Sequence, residues 1–419
     1  MTHNDKILNL TGIQEFALAT MGGNGKCACT STAIQIHGAI DINRLEQAIR
    51  KTVEKNDIFR WTILLDDDGK YKQKVSETCE FELKVYDVPG DTLSDKKQKI
   101  FELSNQIMSE VSLLCEGLLY RFVLFDLKED EYILFAAINH IVTDGVGNDV
   151  TMISIISEYN GVDFSTHSAS FREYVEEANA FADSEEGKKQ IEFWENEIKG
   201  YCSDFVSVPK TNKKLSARKA LTTIDIEPVK TFARENKTSV FNVVLYLYHL
   251  ALAATYNIQD TMINVANGNR NKKYRQTIGF LTTTFNSKMN FDREISIKDL
   301  FAKFMCRYQK AQQNSAFGFK CASETMFTIS YLNYTTKSQM MLGSATIEPF
   351  IGIAEPRTWN VFALVAMEMQ DRIIFEVGCD SDGFPEKSLQ KFAAYIHKGV
   401  KHLCEDDISF NEFCKLTGE

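Results

Sequence analysis

The chain's 419 residues, 44% hydrophobic and 25% charged, have the composition of a globular protein, and the length exceeds the ~250–300 residues at which one hydrophobic core stops growing, so two domains are expected. A formal net charge of −10 argues against a nucleic-acid partner, which is bound through surplus Lys and Arg. The polar opening Met1-Thr2-His3-Asn4-Asp5-Lys6 lacks the apolar core of a signal peptide, and the longest apolar stretch, 243–256, falls short of the ~20 residues that span a bilayer; a soluble, cytoplasmic protein with no membrane partner is expected.

In chain order, Ala33-Ile34-Gln35-Ile36-His37 alternates as a strand does, Asp41 is placed to cap a helix, and Leu45, Ile49 and Val53 recur at helical spacing before a strand at 58–63. Asp66-Asp67-Asp68-Gly69 reads as a solvated hairpin turn onto 71–75 rather than a metal site. A helix at 95–108 precedes two strands, 118–125 and 132–138, that form a second hairpin. The second strand empties into Asn139-His140-Ile141-Val142-Thr143-Asp144-Gly145. An imidazole where a buried strand becomes a loop suits proton transfer, since the strand anchors the backbone and the loop leaves the side chain open. Asp144 is suited to holding the loop through a distant cation, and Gly145 to a conformation or close approach that a side chain would block. The competing reading is a satisfied core histidine before an ordinary Asp-Gly turn.

A Gly145-Val146-Gly147 loop then leads to a helix at 150–159, and 160–220 reads as a connecting region with Ser-rich 165–170, a charged helix through Phe171, Tyr174 and Trp194, and the basic segment 210–219. Strands at 221–226, 262–266, 282–289, 327–332, 361–369 and 373–377 alternate with helices at 241–256, 297–312 and 386–404. The fold class is α/β with mixed sheets, and the domains are placed at 1–170 and 171–419. The ten cysteines include no CxxC pairs and read as reduced, mostly buried small residues. The seven histidines show no HExxH-type pairing, so no metal is expected.

The ordered motifs resemble the condensation domains of nonribosomal peptide synthetases, in the chloramphenicol-acetyltransferase-like superfamily, over nearly the whole chain. Ile36-His37-Gly38-Ala39-Ile40-Asp41 with Leu45, Ala48 and Ile49 is similar to the family's opening strand and helix, and Asn56-Asp57-Ile58-Phe59-Arg60 to the segment that ends it. Gly117-Leu118-Leu119-Tyr120-Arg121 resembles the strand start before the active-site motif, and His140, Asp144 and Gly145 match the second histidine, aspartate and glycine of HHxxxDG. Phe193-Trp194, Gly268-Asn269-Arg270, Ile278-Gly279-Phe280-Leu281, Ser330-Tyr331-Leu332-Asn333 and Ile347-Glu348-Pro349 are similar to later motifs in the same order. There are two departures. The first histidine of the motif, mainly structural in the family, is Asn139, and the family's asparagine after Gly-Phe-Phe is Thr283.

The resemblance implies two acetyltransferase-like subdomains in a V-shaped pseudodimer, with His140 in a tunnel between them. It also implies an acyltransferase of natural product biosynthesis that forms an amide by passing an acyl group from a carrier protein's phosphopantetheine thioester to an amine. No GxSxG elbow suggests an acyl-serine intermediate. His140 is then a general base or a positioning and charge-stabilising group, the Gly145 amide a candidate oxyanion donor, and Asp144 a structural residue paired with Arg270. Thr282, Thr283 and Thr284 offer hydroxyls to substrate or are simply a β-branched strand. The segment 210–219 and the cluster Arg270, Lys272, Lys273, Arg275 would meet an acidic carrier, or form solvated faces. No adenylation module or carrier motif accompanies these features, so a freestanding domain meeting its carrier in trans is expected. Two alternatives stand beside this reading. One is an acyltransferase of the superfamily that uses a coenzyme A thioester, forming an amide or an ester; the other is a catalytically silent protein that docks a carrier.

Overall fold

In the computed structural model, residues 7–88, 90, 92–162, 164, 168–201, 219–318, 327–333, 340–350, 362–379 and 384–416 are described. The backbone divides into two compact units. The first joins Met1–Gly187 to Gly268–Thr282 and Ser338–Glu355; the second comprises Lys188–Asn267, Thr283–Lys337 and Pro356–Glu419. A single cut at residue 170 does not describe this division, because two later stretches return to the first unit.

The first stretch contains β1 (Leu8–Asn9), α1 (Gly12–Met21), β2 (Cys29–His37), α2 (Ile42–Lys55), β3 (Trp61–Leu65), β4 (Tyr71–Val75), β5 (Leu83–Asp87), α3 (Leu93–Val111), β6 (Tyr120–Lys128), β7 (Glu131–Asn139), α4 (Gly145–Tyr159) and α5 (Phe171–Ala182). Then follow α6 (Glu185–Ile198), β8 (Lys219–Asp225), α7 (Ile226–Glu235), α8 (Val240–Tyr256), β9 (Asp260–Asn267), β10 (Thr283–Asn290), α9 (Ile297–Gln313) and β11 (Phe327–Asn333). The strands β12 (Met340–Leu342) and β13 (Ala345–Pro349) rejoin the first unit, and β14 (Phe362–Glu368), β15 (Arg372–Cys379), α10 (Glu386–Cys404) and α11 (Phe410–Lys415) complete the second.

The main sheet of the first unit has the order β12-β13-β2-β7-β6-β5, antiparallel except for β5 with β6. Residues 133–138 of β7 are wholly buried, as a strand covered on both faces must be, and α3 and α4 lie against this sheet. The helix α2 shows how sequence dictates such an element. Asp41 accepts a hydrogen bond from the Arg44 amide at 3.0 Å, and Leu45, Ala48, Ile49, Thr52 and Val53 form one buried face. The sheet of the second unit, β10-β9-β11-β14-β15-β8, is also mixed, with β11 parallel to both β9 and β14. It packs with the almost entirely buried α8. No single helix among the described residues is long and apolar enough to cross a membrane.

Several local expectations change. The strand placed at 58–63 begins only at Trp61; Asp57–Arg60 is a 3-10 turn whose Asp57 carboxylate accepts from the Phe171 and Arg172 amides at 3.3 and 2.8 Å. The connecting region forms two helices, α5 and α6, while 202–218, and with it the basic segment apart from Lys219, lies outside the described residues. Unforeseen helices α7 and α11 begin at the caps Asp225 and Ser409. Nor are the cysteines mostly buried. Among the described ones Cys27 and Cys379 are buried, whereas Cys115, Cys306 and Cys404 are exposed.

Candidate active site

At the end of β7, Asn139 pairs with Cys29 of β2 and the His140 amide donates to the Ala28 carbonyl at 2.8 Å. The Asn139 side chain closes the turn. Its Nδ2 donates to the Val111 carbonyl at 2.9 Å, and its Oδ1 accepts from the Ile141 amide at 3.0 Å. An amide thus supplies one donor and one acceptor at a fully buried position, work that needs no titrating group.

Asp144 is a hub. Its carboxylate caps α4 by accepting from the Gly147 amide at 2.7 Å, and also accepts from the Leu281 and Thr282 amides at 2.9 and 2.7 Å. Arg270 meets it through both terminal nitrogens, Nη2 to Oδ1 at 2.9 Å and Nη1 to Oδ2 at 3.2 Å. The same guanidinium donates to the Gly268, Thr277 and Gly279 carbonyls, each at 3.3 Å. A carboxylate only 1% exposed is costly unless paired and hydrogen-bonded in this way. Arg270 is therefore turned inward and is no part of a surface cluster with Lys272, Lys273 and Arg275, which are exposed.

His140 is partly exposed, yet its Nδ1 is buried without a hydrogen-bond partner among the described residues. Its ring lies against Phe280, centroids 4.7 Å apart and planes inclined by 51°. Burial holds the imidazole below its ordinary 6.5, against the opposing pull of its own backbone, the Asp144 carboxylate and the Thr143 backbone, so the ring is neutral at neutral pH. His249 in α8 is the instructive contrast. Both its nitrogens are satisfied, by Thr261 at 2.8 Å and Ser287 at 2.9 Å, and burial pushes its pKa down to about 3. That is a satisfied core histidine, and His140 differs from it in the unmet Nδ1.

Gly145 is the first residue of α4 rather than part of a loop. It has no left-handed φ, and a Cβ there would meet no atom within 4 Å among the described residues beyond its own turn of helix. Among the described residues, neither conformation nor crowding demands glycine here. Gly147 is the crowded position: a Cβ there would lie 2.6 Å from Thr143 Oγ1 and 3.1 Å from the Gly279 carbonyl oxygen. The first-turn amides of α4 lie at the positive end of the helix dipole, where Asp144 takes that of Gly147 through its carboxylate and that of Asn148 through its carbonyl.

The decisive comparison is with known families: residues 4–406 match the Condensation domain. The chain belongs to the condensation-domain family. Family members act in nonribosomal peptide synthesis as acyl or peptidyl transferases that form amide bonds. Bacitracin synthase 1 of Bacillus licheniformis is 22% identical over 409 residues, 92% of this chain but 8% of that protein. Surfactin synthase subunit 1 of Bacillus subtilis (strain 168) is 26% identical over 272 residues, 61% of this chain and 7% of that protein. The domain thus spans less than a tenth of these curated relatives. Among solved structures, the first condensation domain of the calcium-dependent antibiotic synthetase, in complex with a substrate analogue, aligns with a TM-score of 0.72 at 14% identity, covering 98% of this chain and 99% of that one. The epimerization domain from the third module of tyrocidine synthetase B aligns with a TM-score of 0.79 at 18% identity, covering 95% and 97%. These likenesses show the fold.

In this condensation domain the threonine run divides. Thr282 belongs to the first unit, where its amide donates to Asp144. Thr283 and Thr284 belong to the second, opposite Asn267 and Ala266 in the β10–β9 ladder, and both hydroxyls are buried without partners among the described residues. Sequence reasoning assigned no role to Phe280, Gly147 or the Leu281 and Thr282 amides. The Gly279-Phe280-Leu281 string signalled the first of these, but only as a motif. Among the described residues, no group of three or more His, Cys, Asp or Glu side chains is arranged to hold a metal ion.

Proposed function

We propose that this condensation domain transfers an acyl group from the phosphopantetheine thioester of a carrier protein to an amine, without an acyl-enzyme intermediate. The observation that carries the reading is His140, a partly exposed residue with a neutral imidazole and an Nδ1 unmet among the described residues, close in sequence to the N-terminal turn of α4. The amine nitrogen attacks the thioester carbonyl carbon, forming the N–C bond and placing charge on oxygen. His140 takes the proton from nitrogen as general base. The Gly145 amide donates to the oxyanion, a role whose removal in other enzymes costs about 100- to 1,000-fold. Collapse breaks the C–S bond, and the departing thiolate receives the proton that His140 carries, leaving an amide and a free thiol. Asp144, held by five donors, orders this arrangement and moves no proton.

A second reading, a coenzyme A thioester as donor with an amine or alcohol acceptor, is supported by the starter condensation domain of rhizomide synthetase. That domain, of the same fold (TM-score 0.74, 13% identity), was solved in complex with C8-CoA. Intact-protein mass spectrometry of acyl-loaded carrier proteins, supplied as separate polypeptides with an amine panel, tests the proposal. The acyl mass is lost only when the wild-type domain and an amine are both present, and His140→Ala leaves it in place. Equal loss with His140→Ala sinks the mechanism, turnover only of acyl-coenzyme A favours the second reading, and binding of the loaded carrier without acyl loss favours a silent docking protein.

A further inference from the structure

We infer that Phe280 is the residue that positions the His140 imidazole, and that the Asp144–Arg270 pair acts on catalysis through it. The inference rests on the proposal that His140 is the reacting group. A histidine that moves protons is normally oriented by a hydrogen bond at its second ring nitrogen. Here the backbone of His140 and Thr143 acts on the ring, but Nδ1 makes no hydrogen bond of good geometry among the described residues, so side-chain packing completes the ring's orientation. The aromatic contact that supplies it is Phe280, whose centroid separation of 4.7 Å lies at the close end of the range for interacting rings.

Phe280 has little freedom of its own. It is 2% exposed, and the residues on both sides are clamped by the hub. Arg270 Nη2 donates to the Gly279 carbonyl, and the Leu281 amide donates to Asp144 Oδ2. Gly279 is hemmed in further, since a Cβ there would come within 2.4 Å of the Phe171 ring, and its backbone lies against Gly147 in the first turn of α4. The segment 279–281 is therefore seated rigidly, and the ring it carries is the one that meets the imidazole. The ion pair makes no hydrogen bond to His140 among the described residues, yet it sets the two anchors between which Phe280 is strung. Phe280 also covers part of the ring, and Asp144 is the charged group acting on that ring, so uncovering the ring changes its hydration while leaving the neighbouring charge in place.

The test is the His140 titration, read by NMR on histidine-labelled protein, with its signal identified by its loss in His140→Gln. The variants are Phe280→Leu, Phe280→Met as a milder change of shape, and Arg270→Lys, each first checked by thermal melting. In Phe280→Leu the midpoint rises toward 6.5, the ordinary value, as water reaches the ring, and kcat falls about 10- to 100-fold, the range expected for a misplaced catalytic group, with KM nearly unchanged. Arg270→Lys combined with Phe280→Leu loses little more than Phe280→Leu alone. An unmoved midpoint in a Phe280→Leu or Phe280→Met protein that melts like wild type overturns the inference, as does a full multiplication of the two kinetic losses. The two proposals fail separately: a moved midpoint in a protein that transfers no acyl group upholds the contact and refutes the function, while transfer with an unmoved midpoint does the reverse.

Discussion

Replacing His140 and His249 each by leucine separates a functional histidine from a structural one. In His140→Leu the buried, unpartnered Nδ1 disappears, relieving a penalty of about 1–3 kcal/mol. Against this stands the lost contact with Phe280, about 0.5–1.5 kcal/mol for an aromatic pair, so the net change runs from a loss of about 0.5 to a gain of about 2.5 kcal/mol. In His249→Leu the Thr261 and Ser287 hydroxyls, both 1% exposed, lose their partner. At about 1–3 kcal/mol for each orphaned group, the loss is about 2–6 kcal/mol. Urea denaturation at pH 8, where both imidazoles are neutral, reads the difference, each variant being compared with the unfolding transition of its own unit. His140→Leu is then inactive in acyl transfer but loses no more than about 0.5 kcal/mol of stability. If it loses more than about 2 kcal/mol, or if the two variants lose the same amount, His140 is an ordinary core residue and the reasoning fails.

Arg270→Ala leaves the Asp144 carboxylate buried with amides alone and three carbonyls without their donor; it destabilises the protein by about 3–5 kcal/mol and abolishes activity, and a melt within about 1 kcal/mol of wild type would refute the hub. His249 makes stability depend on pH with a definite sign. Above 6.5 neither state is protonated there, but below it the unfolded chain takes up a proton that the folded one, with a pKa of about 3, refuses. Stability therefore falls by up to about 1.4 kcal/mol per pH unit on acidification from 6.5 toward 3, and denaturation midpoints at pH 7, 5 and 4 show a shallower decline in His249→Leu. Gly145→Ala melts at or slightly above wild type, as alanine favours the helix by about 1 kcal/mol, but loses acyl transfer by obstructing the approach to its amide. Gly147→Ala loses stability by crowding Thr143. Calorimetry and the carrier assay would contradict this if Gly145→Ala kept full activity or Gly147→Ala melted unchanged.

The local architecture was legible where one pattern dominated. The apolar run ending at His140 is β7, and Asp41, Leu45, Ile49 and Val53 mark α2. The start of α4 was misread because Gly145 and Gly147 lower helix propensity, whereas the Asp144 cap and the close fit of Gly147 against Gly279 settle the matter in three dimensions. Asp57 looked like the approach to a strand because the amides it caps lie 114 and 115 residues away. The Asp144–Arg270 pairing spans 126 residues, and only the resemblance suggested it. The Phe280 contact depends on ring geometry that no spacing encodes.

The discontinuity of the first unit bears on its synthesis. When the stretch ending at Gly187 has emerged, β2 still lacks its β13 neighbour, and Asp144 lacks both its guanidinium and two of its amide donors. The missing pieces arrive with residues 268–282 and then 345–349. At ribosomal rates of about 5–20 residues per second, the carboxylate stays under-coordinated for about 5–20 s and the strand edge open for about 10–30 s. During that interval β2 offers an unpaired template for foreign strands, so nascent-chain association and dependence on chaperones should peak before residue 349 leaves the ribosome.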